Sequence, residues 1–196
     1  MEPDQFVDAV REDNDTALSR LGSSKALYAL TEGEMEDDVV RARAADLAGY
    51  GAEVFEDWVA EADADVYREA IDLLGDQRDE ADPDRELGDR PQMYDALAAL
   101  DGEDERLGGF VAWTLVYGST FDQLTGYFTG QADPQTASTF REMSSDVDEL
   151  REGAFDALAE ADQDAARSAA EDVIEAAYDE YFETLEDLGV NPKPVC

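Results

Sequence analysis

The stretch from Leu107 to Thr129, LGGFVAWTLVYGSTFDQLTGYFT, constrains the fold more than any other part of the chain. It carries one formal charge, Asp122, although 33% of all residues are charged. A helix that is apolar nearly all the way round is a buried helix. The Gly, Thr, Ser and Gln residues in this stretch make it too polar to span a membrane. We therefore expect it to be the central helix of a soluble bundle, with the other helices packed round it.

The rest of the chain predicts further helices and no strand of any length. Apolar residues recur at steps of three, four and seven, which is the spacing of a buried helical face. Core helices are expected at about 37–62, 65–79, 103–130 and 134–160, and extra helices at about 4–32 and 163–188. A short helix is expected at 92–100, where the chain crosses over. The pattern predicts one all-α domain over residues 1–196, an antiparallel four-helix bundle with additional N- and C-terminal helices.

The charge balance is the most unusual property of the composition. There are 51 acidic residues against 14 basic ones, the net charge is -37, and the lysines are Lys25 and Lys193 alone. At ~1 M salt the Debye length is ~3 Å, so self-repulsion is largely screened. In dilute buffer the same charge pushes a compact fold apart. The composition is typical of extreme halophiles, and we expect the fold to require monovalent salt.

The same composition bears on the partners. Because no basic patch exists that could release counterions, we expect neither nucleic acid nor an anionic membrane surface as a partner. The N-terminal sequence MEPDQFVDAV has no basic n-region and no apolar h-region, so a signal peptide is not expected. Cys196 is the single cysteine, which leaves no internal disulfide. The expected compartment is the cytoplasm.

Histidine is absent from the chain. This removes the commonest general base, the usual partner of a catalytic Ser or Cys, and the commonest metal ligand. Neither a P-loop nor a dinucleotide-binding glycine motif occurs in the sequence. We therefore assign no catalytic residue and no cofactor from the sequence.

Pairs of acids at helical spacing are the remaining candidates for a metal site. Glu53 and Glu56, Asp146 and Glu149, and Glu149 and Glu152 each place two carboxylates on one helix face. Because 51 of 196 residues are acidic, about a quarter of positions three after an acid are acidic by chance. We interpret these pairs as a solvated acidic face.

Asp122 differs from the other acids because its sequence neighbours are apolar. A carboxylate inside a buried helix has to be paired, protonated or metal-bound. Three alternatives stay open: Asp122 reaches water at the edge of the apolar stripe, it pairs with Arg141 or Arg151 on the next helix, or it serves a metal or catalytic site.

Two further features are interpreted as structural. Cys196 is interpreted as part of a frayed terminus, with thiol chemistry as the alternative. Aromatic residues at helical spacing are interpreted as core residues rather than as a cofactor pocket. They are Tyr50, Trp58, Tyr67, Trp113, Tyr117, Phe121, Tyr127 and Phe128.

Two helical pairs with a crossover between them resemble the ferritin-like bundle, and within it the rubrerythrin group. The stretch ARAADLAGYGAEVFEDWVAEAD, Ala42 to Asp63, resembles the first core helix of that group, and ADPQTASTFREMSSDVDELREGAFDAL, Ala132 to Leu158, resembles its fourth. The segments TALSRLGSSKALYALT and YDEYFETLEDLGVNPKPVC are similar to rubrerythrin-related proteins of halophilic archaea.

The resemblance implies the fold but not the activity. The class binds two irons with a Glu on each of two helices and a Glu-x-x-His on each of the other two. Here Asp46 takes the first Glu position, and residues 78–81 and 146–150 take the Glu-x-x-His positions without a histidine. Val111 to Leu115 stand where the third helix should supply its Glu. The iron-sulfur domain of rubrerythrins needs four cysteines, and this chain has one. Because the di-iron ligands and these cysteines are both missing, peroxidase and ferroxidase chemistry are not expected.

The function predicted from the sequence is that of a non-catalytic, degenerate ferritin-like protein that acts through protein contacts, with a homodimer as one form of such contact. One alternative is an oxidoreductase with a metal site made of carboxylates alone, which are Asp46, Asp122, Asp146 and Glu149. The other alternative is a helical chaperone or adaptor that holds a peptide in a groove.

Overall fold

The computed structural model describes residues 2–61, 65–81 and 86–192. Across these ranges the regular structure is helical and no strand occurs, which confirms the all-α prediction. The helices in chain order are α1 Pro3–Asp13, α2 Asp15–Leu21, α3 Ser24–Leu30, α4 Asp37–Glu61, α5 Asp65–Ala81, α6 Gln92–Ala98, α7 Glu103–Gly130, α8 Pro134–Gly153, α9 Phe155–Glu160 and α10 Gln163–Asp187.

Helix α7 occupies the centre of the packing. It lies along α8 on one side and along α10 on another, while α4 and α5 pack along each other as a second pair. Every residue from Arg106 to Gly118 is buried, and burial continues on one face at Phe121, Leu124 and Phe128. The central position expected for the stretch 107–129 is therefore confirmed.

Aromatic side chains join the α4–α5 pair to α7. The ring of Phe55 on α4 lies with its centroid 4.8 Å from that of Trp113 and 5.4 Å from that of Phe110, both on α7. Tyr67 on α5 also packs on Phe110, at 5.5 Å between centroids. Edge-to-face aromatic pairs at such distances stabilise an interface beyond the area that they bury. The two parts of the bundle thus meet through large rings.

The aromatic contacts continue along α7 and cross to α8. Trp113 stacks on Tyr117 at 4.8 Å, and Tyr117 meets Phe121 edge-on at 4.6 Å. Phe121 and Phe128 both stack on Phe140 of α8, at 5.8 and 5.5 Å. One aromatic column, defined here as these rings together with Phe55, Trp58, Tyr67 and Phe110, runs through the interior of α4, α5, α7 and α8.

The first helix is shorter than the sequence predicts. Instead of one helix over about 4–32, the chain forms α1, α2 and α3. The first break is at Asn14, whose side-chain amide donates to the Val10 carbonyl at 2.9 Å, the same oxygen that accepts the Asn14 backbone N–H at 3.2 Å. The second break is at Gly22 and Ser23, where a bend is expected from the sequence.

The helix expected over about 134–160 is also interrupted. Helix α8 ends at Gly153, and α9 begins at Phe155 after the single residue Ala154. The Ala154 amide donates to the Arg151 carbonyl, three residues back, so the last turn of α8 is tightened. Glycine destabilises a helix interior by about 1 kcal/mol relative to alanine, which accounts for a break at this point.

The start of α8 follows its sequence signal. Asp133 accepts a hydrogen bond from the Thr136 amide at 3.1 Å, and Pro134 occupies the first turn. Thr136 also donates its hydroxyl to Asp133 at 2.6 Å. These hydrogen bonds lower the pKa of Asp133, with the hydroxyl as the largest cause. Among the helices of the described ranges, none is long and apolar enough to cross a bilayer.

Candidate functional site

A cavity of about 560 Å³ opens between the N-terminal helices and the rest of the fold. Its walls come from α3, α4, α6, α7 and α10, with Leu21 at the end of α2 and residues 89–91 of the crossover. Ligand pockets typically enclose about 300–1,000 Å³ and occur where several elements meet. We call this space the α3–α10 cavity, and it is the candidate functional site.

The inner surface of the α3–α10 cavity is apolar and aromatic. Leu27, Leu47, Met93 and Val116 line it, and each is no more than 8% exposed. Tyr117 also lines the cavity and belongs to the aromatic column, so the column forms part of the cavity wall. The position of the cavity is therefore determined by the bundle core.

Two buried tyrosines keep their protons in this wall. The Tyr94 hydroxyl donates to the Leu47 carbonyl at 2.8 Å, and the Tyr117 hydroxyl donates to Gln77 Oε1 at 2.8 Å. Burial raises the pKa of both phenols well above the usual value of 10. At neutral pH both groups are neutral donors whose hydrogen bonds are internal.

Tyr50 closes the cavity towards the crossover. Its hydroxyl donates to the Asp89 carbonyl at 2.9 Å, which attaches the crossover to α4. Burial and then the nearby Asp46 carboxylate raise the pKa of Tyr50. A negative charge next to a phenol disfavours phenolate, because both would carry the same sign.

Asp46, one of the acids assigned from the sequence, lines the α3–α10 cavity and is only 3% exposed. The guanidinium of Arg43 lies 3.5 Å from Asp46 Oδ2 and 2.5 Å from Glu32 Oε1. Arg43 therefore joins the segment after α3 to the buried carboxylate of α4. Charge pairing of this kind is what permits an acid to lie below the surface.

Glu180 on α10 is the acid that the sequence analysis missed. It lines the cavity, is partly buried, and accepts the Gln92 amide N–H at 2.9 Å, at the start of α6. Burial raises the pKa of Glu180; the hydrogen bond from Gln92 opposes this rise, while the charges of Asp95 and Glu183 add to it. No ion pair of the described residues includes Glu180.

Asp122 is exposed on α7 and accepts the Ser144 hydroxyl of α8 at 2.9 Å. The first alternative, that this carboxylate reaches water at the edge of the apolar stripe, matches its exposure. The pairing with Arg151 is wrong, because Arg151 pairs with Asp148 at 2.5 Å one turn away on its own helix. The partner is instead Ser144, which lies between Arg141 and Arg151 in the sequence. The search for a charged partner did not identify it.

Asp146 and Glu149 are exposed on α8, whereas Asp46 is buried in the cavity wall. Across residues 2–61, 65–81 and 86–192, no three acidic or thiol side chains come together in a group that could hold a metal ion. The four acids assigned from the sequence therefore do not form one site: Asp46 lies in the cavity wall, and the other three are exposed on α7 and α8. Cys196, the other residue considered for chemistry, lies outside the described residues.

The arrangement in the α3–α10 cavity combines apolar walls, neutral phenols and partly buried carboxylates. These groups are suited to binding a ligand, because the walls offer it contact area and the carboxylates offer it fixed negative charge. Compared with protein-family models, with curated proteins and with solved structures, the chain matches none of the three.

Proposed function

We propose that this protein is a non-catalytic, degenerate member of the ferritin-like class, related to the rubrerythrins, that acts through contacts with another protein in a high-salt cytoplasm. The observation that supports this proposal is the aromatic column. Its rings fill the interior between α4, α5, α7 and α8, where bundles of this class carry their inward-facing metal ligands.

The residues at the positions implied by the resemblance do not fit a di-iron centre. Val111 and Leu115 are apolar and buried, and the Thr114 hydroxyl donates to the Val111 carbonyl at 2.7 Å. Asp146 and Glu149 are exposed rather than directed into a shared site. Imidazole, which favours the later transition metals, is absent from the sequence. We therefore derive no reaction step through iron.

The described surface also indicates the kind of contact that a partner makes. Leu188 is the one large hydrophobic side chain that is exposed among the described residues, at 37%. A helical adaptor lays a peptide along an extended apolar groove, whereas the α3–α10 cavity encloses about 560 Å³, which is the size of a small-molecule pocket. The adaptor alternative is thus not favoured, and we infer that partner contacts are mainly polar.

Metal analysis tests the non-catalytic part of the proposal. The protein is purified in about 2 M KCl, where self-repulsion is screened, without chelators, and its metal content and peroxide consumption are measured. We expect iron far below one atom per chain and no peroxide turnover. A variant with Asp46→Asn and Glu149→Gln is the matched control, and its metal content should equal that of the wild type.

About two irons per chain with peroxide turnover, lost in the double variant, would reject the proposal, since that stoichiometry defines the di-iron class. The protein-contact part is tested separately by light scattering and chemical cross-linking in the same salt. A chain that stays monomeric, and that captures no protein from an extract prepared in that salt, would contradict it.

A further inference from the structure

We propose that the α3–α10 cavity binds a small organic cation with an apolar body, such as a protonated arylalkylamine. This inference goes beyond the proposed function, because it concerns a different site and does not depend on the aromatic column lacking metal. Three observations carry it: the size and walls of the cavity, the pairing of both wall arginines with carboxylates, and the position of Glu180.

The volume and the walls fit a molecule rather than a bare ion. About 560 Å³ accommodates a molecule of drug-like size. The rings of Tyr50, Tyr94 and Tyr117 and the side chains of Leu47 and Met93 offer contact to an apolar body. Aromatic faces also attract a cation within about 6 Å of the ring centre. A metal ion would instead need several oxygen ligands converging on one point.

The charge on the cavity wall is negative. Glu32, Asp46, Asp89, Glu180 and Asp187 line the cavity, against Arg43 and Arg90. Both arginines are already engaged. Arg43 contacts Glu32 and Asp46, and Arg90 contacts Glu53, which lies outside the cavity, at 3.1 Å. Their positive charges are thus satisfied, while carboxylates remain that no described basic side chain pairs with.

Glu180 is the carboxylate best placed to receive the cation. It is partly buried, and its only described hydrogen bond comes from the Gln92 amide. Asp95 and Glu183 are its charged neighbours, and both repel a negative charge. A carboxylate in such surroundings is costly to ionise, and a bound cation removes that cost. An ammonium group at Glu180 would therefore gain a partly desolvated ion pair.

The rim of the cavity adds an apolar contact. Leu188, the exposed large hydrophobic residue identified above, belongs to the cavity wall just after α10. An apolar end of the ligand that lies against Leu188 would remove it from water. The ligand thus requires a positive group for Glu180 and a hydrocarbon portion for the leucine and the tyrosine rings.

The test compares three probes of one shape and different charge. 4-Phenylbutylamine, 4-phenylbutan-1-ol and 4-phenylbutyrate are titrated into the full chain in about 2 M KCl, and binding is followed by calorimetry and by saturation-transfer NMR. We expect the amine to bind at least ~10-fold more tightly than the alcohol, since a hydrogen bond to a charged group contributes that much or more. The acid should not bind.

Two substitutions on α10 locate the site. Glu180→Gln keeps the shape and an acceptor for the Gln92 amide, and should weaken amine binding by ~10-fold or more. Glu186→Gln removes the same charge from an exposed position of α10 outside the cavity wall, and should change the affinity by less than ~2-fold. Ala177→Phe, which fills space in the wall, should abolish binding of the amine and of the alcohol.

Three results would each overturn the inference: equal affinity for amine and alcohol, equal weakening by Glu180→Gln and Glu186→Gln, or no binding of the amine by folded wild type. Circular dichroism of each variant in the same salt shows that a lost affinity reflects the site and not unfolding. A loss of amine binding in Glu180→Gln and Ala177→Phe, with amine binding by Glu186→Gln unaffected, supports it.

Discussion

A Cβ atom built on Gly108 would lie 1.8 Å from the carbonyl oxygen of Ala166, so α7 and α10 touch through their backbones at this point. The next residue, Gly109, is likewise covered, with a built Cβ 2.4 Å from Leu100 Cδ1. Glycine is the residue that permits such an approach between two helices. Gly108 therefore determines how closely α10 packs on the central helix, and Gly109 leaves room for Leu100 and Leu97.

Replacing Gly108 with Ala should separate α7 from α10. The added methyl group meets backbone, which cannot rotate away, so we expect a loss of about 1–3 kcal/mol or more in the free energy of unfolding. Gly126→Ala is the matched control on the same helix, because a Cβ there meets nothing within 4 Å. It should stabilise the protein by about 0.5–1 kcal/mol. Thermal and urea unfolding of both variants measure the difference, and equal effects would contradict the close contact.

Truncation of core residues on α7 tests its central position. Phe121 is 1% exposed and Leu115 is 8% exposed. Phe121→Ala should cost about 3–5 kcal/mol and Leu115→Ala about 2–5 kcal/mol, as cavity-forming substitutions do. Thr129→Ala, at an exposed position of the same helix, should stay within about 0.5 kcal/mol. Losses below about 0.5 kcal/mol at both core sites would show that α7 is not central.

Salt should control whether the tertiary structure forms. With a net charge of -37 and 14 basic residues, most carboxylates have no basic partner. We expect cooperative unfolding in about 2 M KCl and a loss of near-ultraviolet circular dichroism in dilute buffer, because repulsion is then unscreened. An equal melting temperature at about 0.1 M and 2 M KCl would refute this expectation.

Glu180 should give the stability a dependence on pH. Its pKa in the folded protein lies above the ordinary value of 4.5, so the folded state binds this proton more tightly than the unfolded state. The free energy of unfolding therefore falls as the pH rises from about 4.5 through the raised pKa. Glu180→Gln should remove this decrease, so the free energy of unfolding of the variant should rise relative to that of the wild type between pH 4 and pH 7.

Urea titrations across that pH range measure the effect, with Glu186→Gln as the control at an exposed position of the same helix. The control should follow the wild-type curve more closely than Glu180→Gln does. If the free energy of unfolding of Glu180→Gln changes with pH in the same way as that of the wild type, the burial of this carboxylate does not contribute to the pH dependence of stability.

The spacing of apolar residues predicted the long helices, because a buried face continues along each of them. Helix α7 is expected at about 103–130 and observed at Glu103–Gly130, and α4, expected at about 37–62, is helical throughout Asp37–Glu61, where the described range ends. The breaks were harder to predict. Asn14 is a single polar residue between Val10 and Ala17, and its side-chain hydrogen bond to the Val10 carbonyl at the end of α1 leaves no signal in the spacing of apolar residues.

The cavity could not be predicted from spacing, because its residues come from distant parts of the chain. Glu180 is one of 51 acids, and in the sequence nothing separates it from its exposed neighbours. What distinguishes it is the contact with Gln92, 88 residues earlier in the chain. Asp46 was identified through the resemblance, yet its neighbours Arg43 and Glu32 make it part of a cavity wall. Long-range packing, rather than local pattern, determined both positions.

The aromatic column has a consequence for spectroscopy. The chain has two tryptophans, Trp58 and Trp113, and both pack on Phe55, at 5.1 and 4.8 Å between ring centroids. Tryptophan emission therefore comes from one small region where α4 and α7 meet. Helices α1 to α3 and α10 carry no indole. A molecule that had released its N-terminal helices, and with them one wall of the cavity, would still fluoresce like the intact protein.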